Sequence, residues 1–309
     1  DNGCADRIVF LQELSTRIEL PEPADVVVSD LRVVLPLFQH NLPAIADARR
    51  RFLKPGGALI PLRDTLWAAV VETPRLYRTL TAPWTANSFH LDLGAALRVV
   101  TNSICKVQAR PSELLTAPLT VATLDYTTIE ESSVRAQIEA VAQRAGTAHG
   151  LAVWFDAVLA PGIEFSNAPG AAKMVYGQMF FPFPEPVEVA AGDRFTVTLQ
   201  ADLVGEDYVW RCESCVHDGG SSGPPRARFE QSTFWSVPLS LADLEKREAG
   251  YVPALNPQGE IESFILSQMD GKTPQEEIAR RAQARFPGEF PRWEDALTRA
   301  GEIARKFSR

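Results

Sequence analysis

An α/β unit, an antiparallel β domain and a small helical domain, in that order, are what this sequence predicts, and three observations carry the prediction. Residues 24–29 form a short Val-rich run closed by Asp30, followed by a loop, apolar positions at helical spacing, and a second apolar run at Ala58-Leu59-Ile60. That is the order strand, loop, helix, strand of a parallel α/β unit. From Leu119 the pattern becomes a series of short alternating strands separated by Gly- and Pro-marked turns, the signature of an antiparallel barrel or sandwich. Beyond Tyr251 the apolar period turns helical.

Composition narrows the function classes. The 309 residues are 45% hydrophobic and 23% charged, which supports two or three domains with ample cores. A formal charge of −8 argues against nucleic acid or an anionic membrane as partner and suits a basic peptide. Cys4, Cys105, Cys212 and Cys215 are scattered, and no signal-peptide pattern or long apolar segment accompanies them. Thiols in a reducing cytoplasm are therefore expected.

Taken in order, residues 7–11 read as a strand after a turn. Residues 24–29 are the strand of the α/β unit, and a helix over 42–52 places Ile45, Ala48, Arg49 and Phe52 at helical spacing until Lys54-Pro55-Gly56-Gly57 stops it. Ligands of open parallel sheets bind beyond the carboxyl ends of strands, so residues 29–41 are the expected site. Residues 64–72 are a strand leaving the first domain. Residues 73–112 carry Tyr77, Trp84, Phe89, Leu91 and Leu97, either as an interface arm or as a subdomain packed on its own β domain. Strands follow at 119–126, 133–142, 147–159, 174–182, 194–203 and 208–216. Residues 231–244 read as a linker with a short helix, and 227–237 alternate. In the tail, Ile261, Phe264, Ile265 and Met269 make one apolar face, Thr273 caps a helix before Pro274 with Glu276 completing a capping box, and 293–307 form a last helix.

Val27-Val28-Ser29-Asp30, then Gln39, then Ala48-Arg49-Arg50-Arg51-Phe52-Leu53-Lys54-Pro55-Gly56-Gly57-Ala58-Leu59-Ile60-Pro61 resembles the protein arginine methyltransferases in register over the whole stretch. His149 to Asp156, Ser166-Asn167-Ala168-Pro169 and Val189 to Asp193 extend the resemblance to about residue 216. It implies the C-terminal part of a Rossmann-like methyltransferase domain at 1–62 and an antiparallel β-barrel at 63–238. A helical dimerisation arm is implied at about 73–112, giving a homodimer. It further implies S-adenosyl-L-methionine as methyl donor and a protein or peptide nitrogen as acceptor. Asp30 and Gln39 fall where the family places two glutamates that hold the acceptor guanidinium. Met174, Val175 and Tyr176 fall on the loop that closes that pocket, and Ser15, Thr16 and Ser29 on the cofactor side. The Gly-rich loop and ribose carboxylate of the family belong upstream of Asp1, so an N-terminally truncated chain is expected.

The departures shape the expected chemistry. Asp30 keeps one charge on a shorter stem, Gln39 is neutral, and Val175 replaces a histidine. Enclosing a guanidinium without full neutralisation costs several kcal/mol. An altered substrate or lost activity is expected, with a non-catalytic peptide-binding module as the alternative. Asp30 as a strand-end cap, Gln39 as a solvated loop residue and Tyr176 as β core are the plainer readings. Cys212-x-x-Cys215-x-His217 lacks a second ligand pair for zinc. Residues 250–309, with Leu255, Asn256, Gly259, Ile261, Asp270-Gly271, Thr273, Ile278-Ala279 and Phe286-Pro287, resemble the PqqD-like domains, which implies a peptide-recognition element.

Overall fold

The computed structural model describes residues 3–86, 90–220, 223–237 and 240–308; Phe89, named above, lies outside them. The chain divides into two units, Asp1–Pro238 and Leu239–Arg309.

The first unit opens with two 3-10 turns, Ala5–Arg7 and Ser15–Arg17. Residues 7–11 do not form the expected strand. Ile8 to Leu11 are exposed, and among the described residues β1 (Ala24–Val28) pairs only with β2 (Leu53–Ile60), so no ladder holds them. Between these strands runs α1 (Asn41–Arg51), which buries Leu42, Ile45, Ala46 and Ala48. The sheet β1-β2 is parallel, with Val26 opposite Ala58 and Val28 opposite Ile60. Lys54 to Gly57 are part of β2 rather than a separate helix stop. An irregularity between Ala24 and Val26 absorbs the Pro and Gly residues, which cannot keep a regular ladder. Val26 and Val28 are 50% and 69% exposed, so β1 is not buried on both faces: a two-stranded sheet has too little surface to cover them. The basic run of α1 is not simply solvated, because Arg49 donates to the Tyr126 carbonyl at 2.8 Å and Arg51 to those of Ser15 and Ile18 at 2.8 Å each.

Beyond Pro61 come β3 (Arg63–Val71), α2 (Pro74–Thr85), α3 (Ala95–Asn102), β4 (Cys105–Val107) and β5 (Leu119–Asp125). They are followed by β6 (Val134–Val141), β7 (Gly146–Ala160), β8 (Ile163–Ser166), β9 (Gln178–Val189), β10 (Arg194–Val204), β11 (Asp207–His217) and β12 (Ala227–Ser232). The expected barrel does not close. One six-stranded sheet has the order β4-β9-β7-β3-β5 with β8 on β7, and a four-stranded sheet has the order β12-β11-β10-β6. Closure needs a continuous ladder, and the chain instead crosses from β5 to β6 without pairing them. Leu66, Phe155, Phe183, Phe195, Val197 and Leu199, from both sheets, fill the shared core together with Leu35 and Leu37 of the loop after β1.

The helices of residues 73–112 sit on the unit's own sheets. Leu76 and Leu80 pack against Ala69, Val71, Trp154 and Phe180, and the Tyr77 hydroxyl donates to the carbonyls of Phe183 and Pro184 at 3.0 Å. Asn102 on α3 accepts from the Ser232 N–H at 2.7 Å. At the start of α2 the Thr73 N–H donates to Nδ1 of buried His149 at 3.2 Å. Burial pulls the His149 pKa below its ordinary 6.5, against the opposing influence of Thr147 and Glu72. A depressed histidine binds protons more readily when unfolded, so its stabilising share is complete above 6.5 and is lost as pH falls from there through the folded value. Thermal melts between about pH 7.5 and about pH 5 are expected to show a steeper acid loss in the native chain than in His149→Phe. Equal slopes would remove His149 from the acid response.

The second unit contains α4 (Leu241–Glu245), α5 (Pro257–Ser267), α6 (Gln275–Arg285) and α7 (Trp293–Phe307). Ile261, Ile265, Ile278, Ala282, Ala300 and Ile303 form its core. Asn256 caps α5 by accepting from the Gly259 N–H at 2.7 Å. The expected Thr273–Glu276 capping box is absent. Thr273 spends its N–H on Asp270 Oδ1 at 2.7 Å, and Pro274, which has no hydroxyl to cap with, takes the cap position of α6. The alternating stretch 227–237 contributes β12, which pairs with β11, so it is consumed by the first unit.

Candidate functional site

Ser29 follows β1 and donates its N–H to the Ile60 carbonyl at 2.8 Å, making it the last rung of the parallel ladder. Asp30 therefore stands where the backbone leaves the sheet, and its side chain is 60% exposed. Both of its oxygens are engaged: Oδ1 accepts from Arg32 Nη1 at 3.2 Å, and Oδ2 from the Tyr176 hydroxyl at 2.8 Å. Asp30 and Tyr176 are 146 residues apart in sequence.

Arg32 points inward. Its Nε and Nη2 donate to Asp64 Oδ2 and Oδ1 at 2.9 and 2.8 Å, the two-pronged geometry in which a guanidinium and a carboxylate match best. These side chains are 3% and 0% exposed. The Tyr126 hydroxyl adds a third hydrogen bond to Asp64, at 2.6 Å on Oδ2. Two rings flank the cation, with the guanidinium carbon 5.6 Å from the centre of Phe155 and 5.7 Å from that of Phe165. Tyr176 stacks on Phe165 at 5.7 Å and meets Phe155 edge-on at 5.6 Å, closing the outer side.

Burial works against the charge of Arg32, but the hydrogen bonds and charge of Asp64 outweigh it and hold the guanidinium above its ordinary range. Tyr126 is raised by burial and then by Asp64, and Tyr176 by burial and then by its bond to Asp30. Both phenols are thus neutral donors near neutral pH.

The other expected site residues are not drawn in. Gln39 is exposed, adopts a left-handed φ of 42°, and has no hydrogen-bond partner among the described residues. The chain is turning there into α1, with Asn41 Nδ2 donating to the Pro36 carbonyl at 2.8 Å. Met174 is half-buried, and Val175 is 78% exposed while its carbonyl accepts from Lys106. Ser15 and Thr16 lie exposed on a 3-10 turn, and the Ser29 N–H is already spent on Ile60. Two exposed hydroxyls and a strand-end serine offer no carboxylate for a ribose and no free row of N–H donors, so these three residues do not by themselves fit an S-adenosylmethionine site.

Arg32, Asp64, Tyr126, Phe155 and Phe165 complete the site and escaped the sequence reading. A signal existed: Arg32 interrupts the apolar run Leu31 to Phe38, and Asp64 precedes the apolar run of β3. Opposite charges inside two apolar segments ask for each other, since a buried charge needs a partner. Elsewhere, Cys212 is buried and Cys215 half-buried on β11, and no group of three or more His, Cys, Asp or Glu placed to hold a metal occurs among the described residues. None of the described helices is long and apolar enough to cross a membrane.

The chain as a whole is similar to known proteins. Residues 63–204 match the family model described as the arginine methyltransferase oligomerization subdomain. Protein arginine N-methyltransferase 2 of Homo sapiens is 26% identical over 224 residues, covering 68% of this chain and 51% of that protein. Probable histone-arginine methyltransferase CARM1 of Oryza sativa subsp. indica is 29% identical over 296 residues, covering 85% and 54%. The chain spans about half the length of these curated relatives. Among solved structures, the Trypanosoma brucei PRMT1 enzyme-prozyme heterotetrameric complex with AdoHcy shares the fold, with a TM-score of 0.65, 18% identity and 75% of each chain covered. The family model over residues 63–204 and the named relatives make this chain similar to the protein arginine methyltransferases.

Proposed function

We propose that this chain forms the acceptor-binding and subunit-joining part of a methyltransferase that uses S-adenosyl-L-methionine and acts on a protein or peptide nitrogen. The observation that carries the reading is the meeting of Asp30 and Tyr176 at 2.8 Å beyond the carboxyl end of β1. These are an acid and a ring from opposite walls of the expected acceptor pocket, and ligands of parallel sheets bind at that end. Residues 73–112 serve subunit pairing through the surface that α2 and α3 leave outward. Residues 250–309 serve peptide recognition in the manner of a PqqD-like domain, with α5, α6 and α7 as the recognising body.

The second reading, a peptide-binding protein without catalysis, is favoured by Gln39, which neither carries charge nor reaches Asp30 through any hydrogen bond. One experiment separates the two. The protein at its natural full length is incubated with methyl-labelled S-adenosylmethionine and cellular peptides. Labelled acceptor that falls at least about tenfold in Asp30→Asn is the expected result, since one lost charged contact at a reacting site is worth on the order of a factor of ten or more. Peptide binding with no label on any acceptor would replace this reading with the second.

A further inference from the structure

We infer that the loop after β1 contains a guanidinium-binding site whose occupant is the chain's own Arg32, so that any other guanidinium, an acceptor arginine included, is kept out of that cage while Arg32 is in place. The inference rests on the reading of residues 29–41 as the acceptor loop. Everything a free guanidinium would need is assembled around Arg32. Asp64 meets the in-plane edge of the fork at 2.8 and 2.9 Å, and the Tyr126 hydroxyl donates to that carboxylate at 2.6 Å. Phe155 and Phe165 supply apolar walls at 5.6 and 5.7 Å. Asp30 then takes the remaining outer nitrogen at 3.2 Å and is itself held by Tyr176.

Such a cage suits a planar, delocalised cation and suits an ammonium poorly, because an ammonium has neither the fork nor the flat face. Arg32 enters it on a tether only two residues long from Asp30, which makes occupancy intramolecular and continuous. A second arginine seeking Asp30 would find one hydrogen bond already made to each of its oxygens and could meet only the exposed outer side of that carboxylate. To enter the cage itself it must displace Arg32, whose release leaves Asp64 buried without a counter-ion. Arg32 therefore closes the cage to other guanidinium groups.

The test empties the cage. Arg32→Ala removes the side chain beyond Cβ, and ethylguanidinium restores the missing atoms. The variant is expected to melt lower than the native chain and to regain roughly 5 °C at saturating ethylguanidinium, in a saturable titration. The native chain is expected to show no saturable shift, ethylammonium to have little effect, and Arg32→Ala combined with Asp64→Asn to lose the response. If Arg32→Ala does not fold unaided, the yield of refolding with and without ethylguanidinium is read instead. Arg32→Met, which refills the cage with apolar atoms, provides the folded control. A response in Arg32→Ala no larger than in the native chain, or no larger with ethylguanidinium than with ethylammonium, overturns the inference. These readouts need no methyl transfer. An inactive protein with a saturable response would count against the proposed function alone, and an active protein without one would count against the cage alone.

Discussion

Gly150→Ala is expected to be the most damaging single substitution in the first unit, with a loss of about 3–5 kcal/mol. Gly150 lies on β7 between Val71 on one side and Pro182 on the other, at a shift in the β7–β9 register. Its φ is 155°, which side chains rarely adopt, and an added Cβ would stand 2.1 Å from the Phe181 carbonyl oxygen and 2.9 Å from Pro182 Cα. Those neighbours are backbone, so no rotamer change relieves the clash. For a unit of this size the loss corresponds to roughly 10 °C in Tm, readable by calorimetry. Gly192→Ala provides the contrast. Gly192 has a φ of 93° but open space around it, so only the conformational cost remains, about 1 kcal/mol. Equal losses for the two variants would show that close approach to Phe181 does not govern the role of Gly150.

Asp64→Ala is expected to cost about 3–5 kcal/mol, because it strands the Arg32 charge in a place that is 3% exposed. The pair does not hold the fold together by its own net attraction, since desolvating two ions consumes most of what their contact returns. The double variant Arg32→Met with Asp64→Ala is therefore expected to recover most of the single loss, with a methionine fitting between Phe155 and Phe165. Urea unfolding of the native chain, the two single variants and the double variant gives the coupling energy directly. A double variant as unstable as Asp64→Ala would mean that the Tyr126 hydroxyl, left without its acceptor, dominates the cost.

The second result bears on how the loop of residues 29–41 is held. Leu35 and Leu37 anchor it in the core, and Arg32 anchors it electrostatically two residues from Asp30. Variants at Asp64 are expected to loosen Asp30 and Tyr176 together, because Arg32 links all three.

What the sequence determined by itself was the order of most of the elements. The Val run before Asp30, the helical spacing over 42–52 and the period-two strands from Leu119 are local patterns, and local patterns survive without knowledge of partners. The last helix, Trp293–Phe307, was legible for the same reason. Tertiary structure decided what depends on partners. Residues 7–11 carry strand-like residues but have no ladder to join, and β5 and β6 are consecutive yet belong to different sheets, which leaves the β unit open. The family resemblance placed Gln39 in the site, and the structure has it exposed at the turn into α1. Arg32 and Asp64 were visible only as two charges in apolar runs, and it takes the packing of the loop against β3 to bring them to 2.8 Å. Burial made that meeting obligatory, because neither charge could stay in the interior without the other.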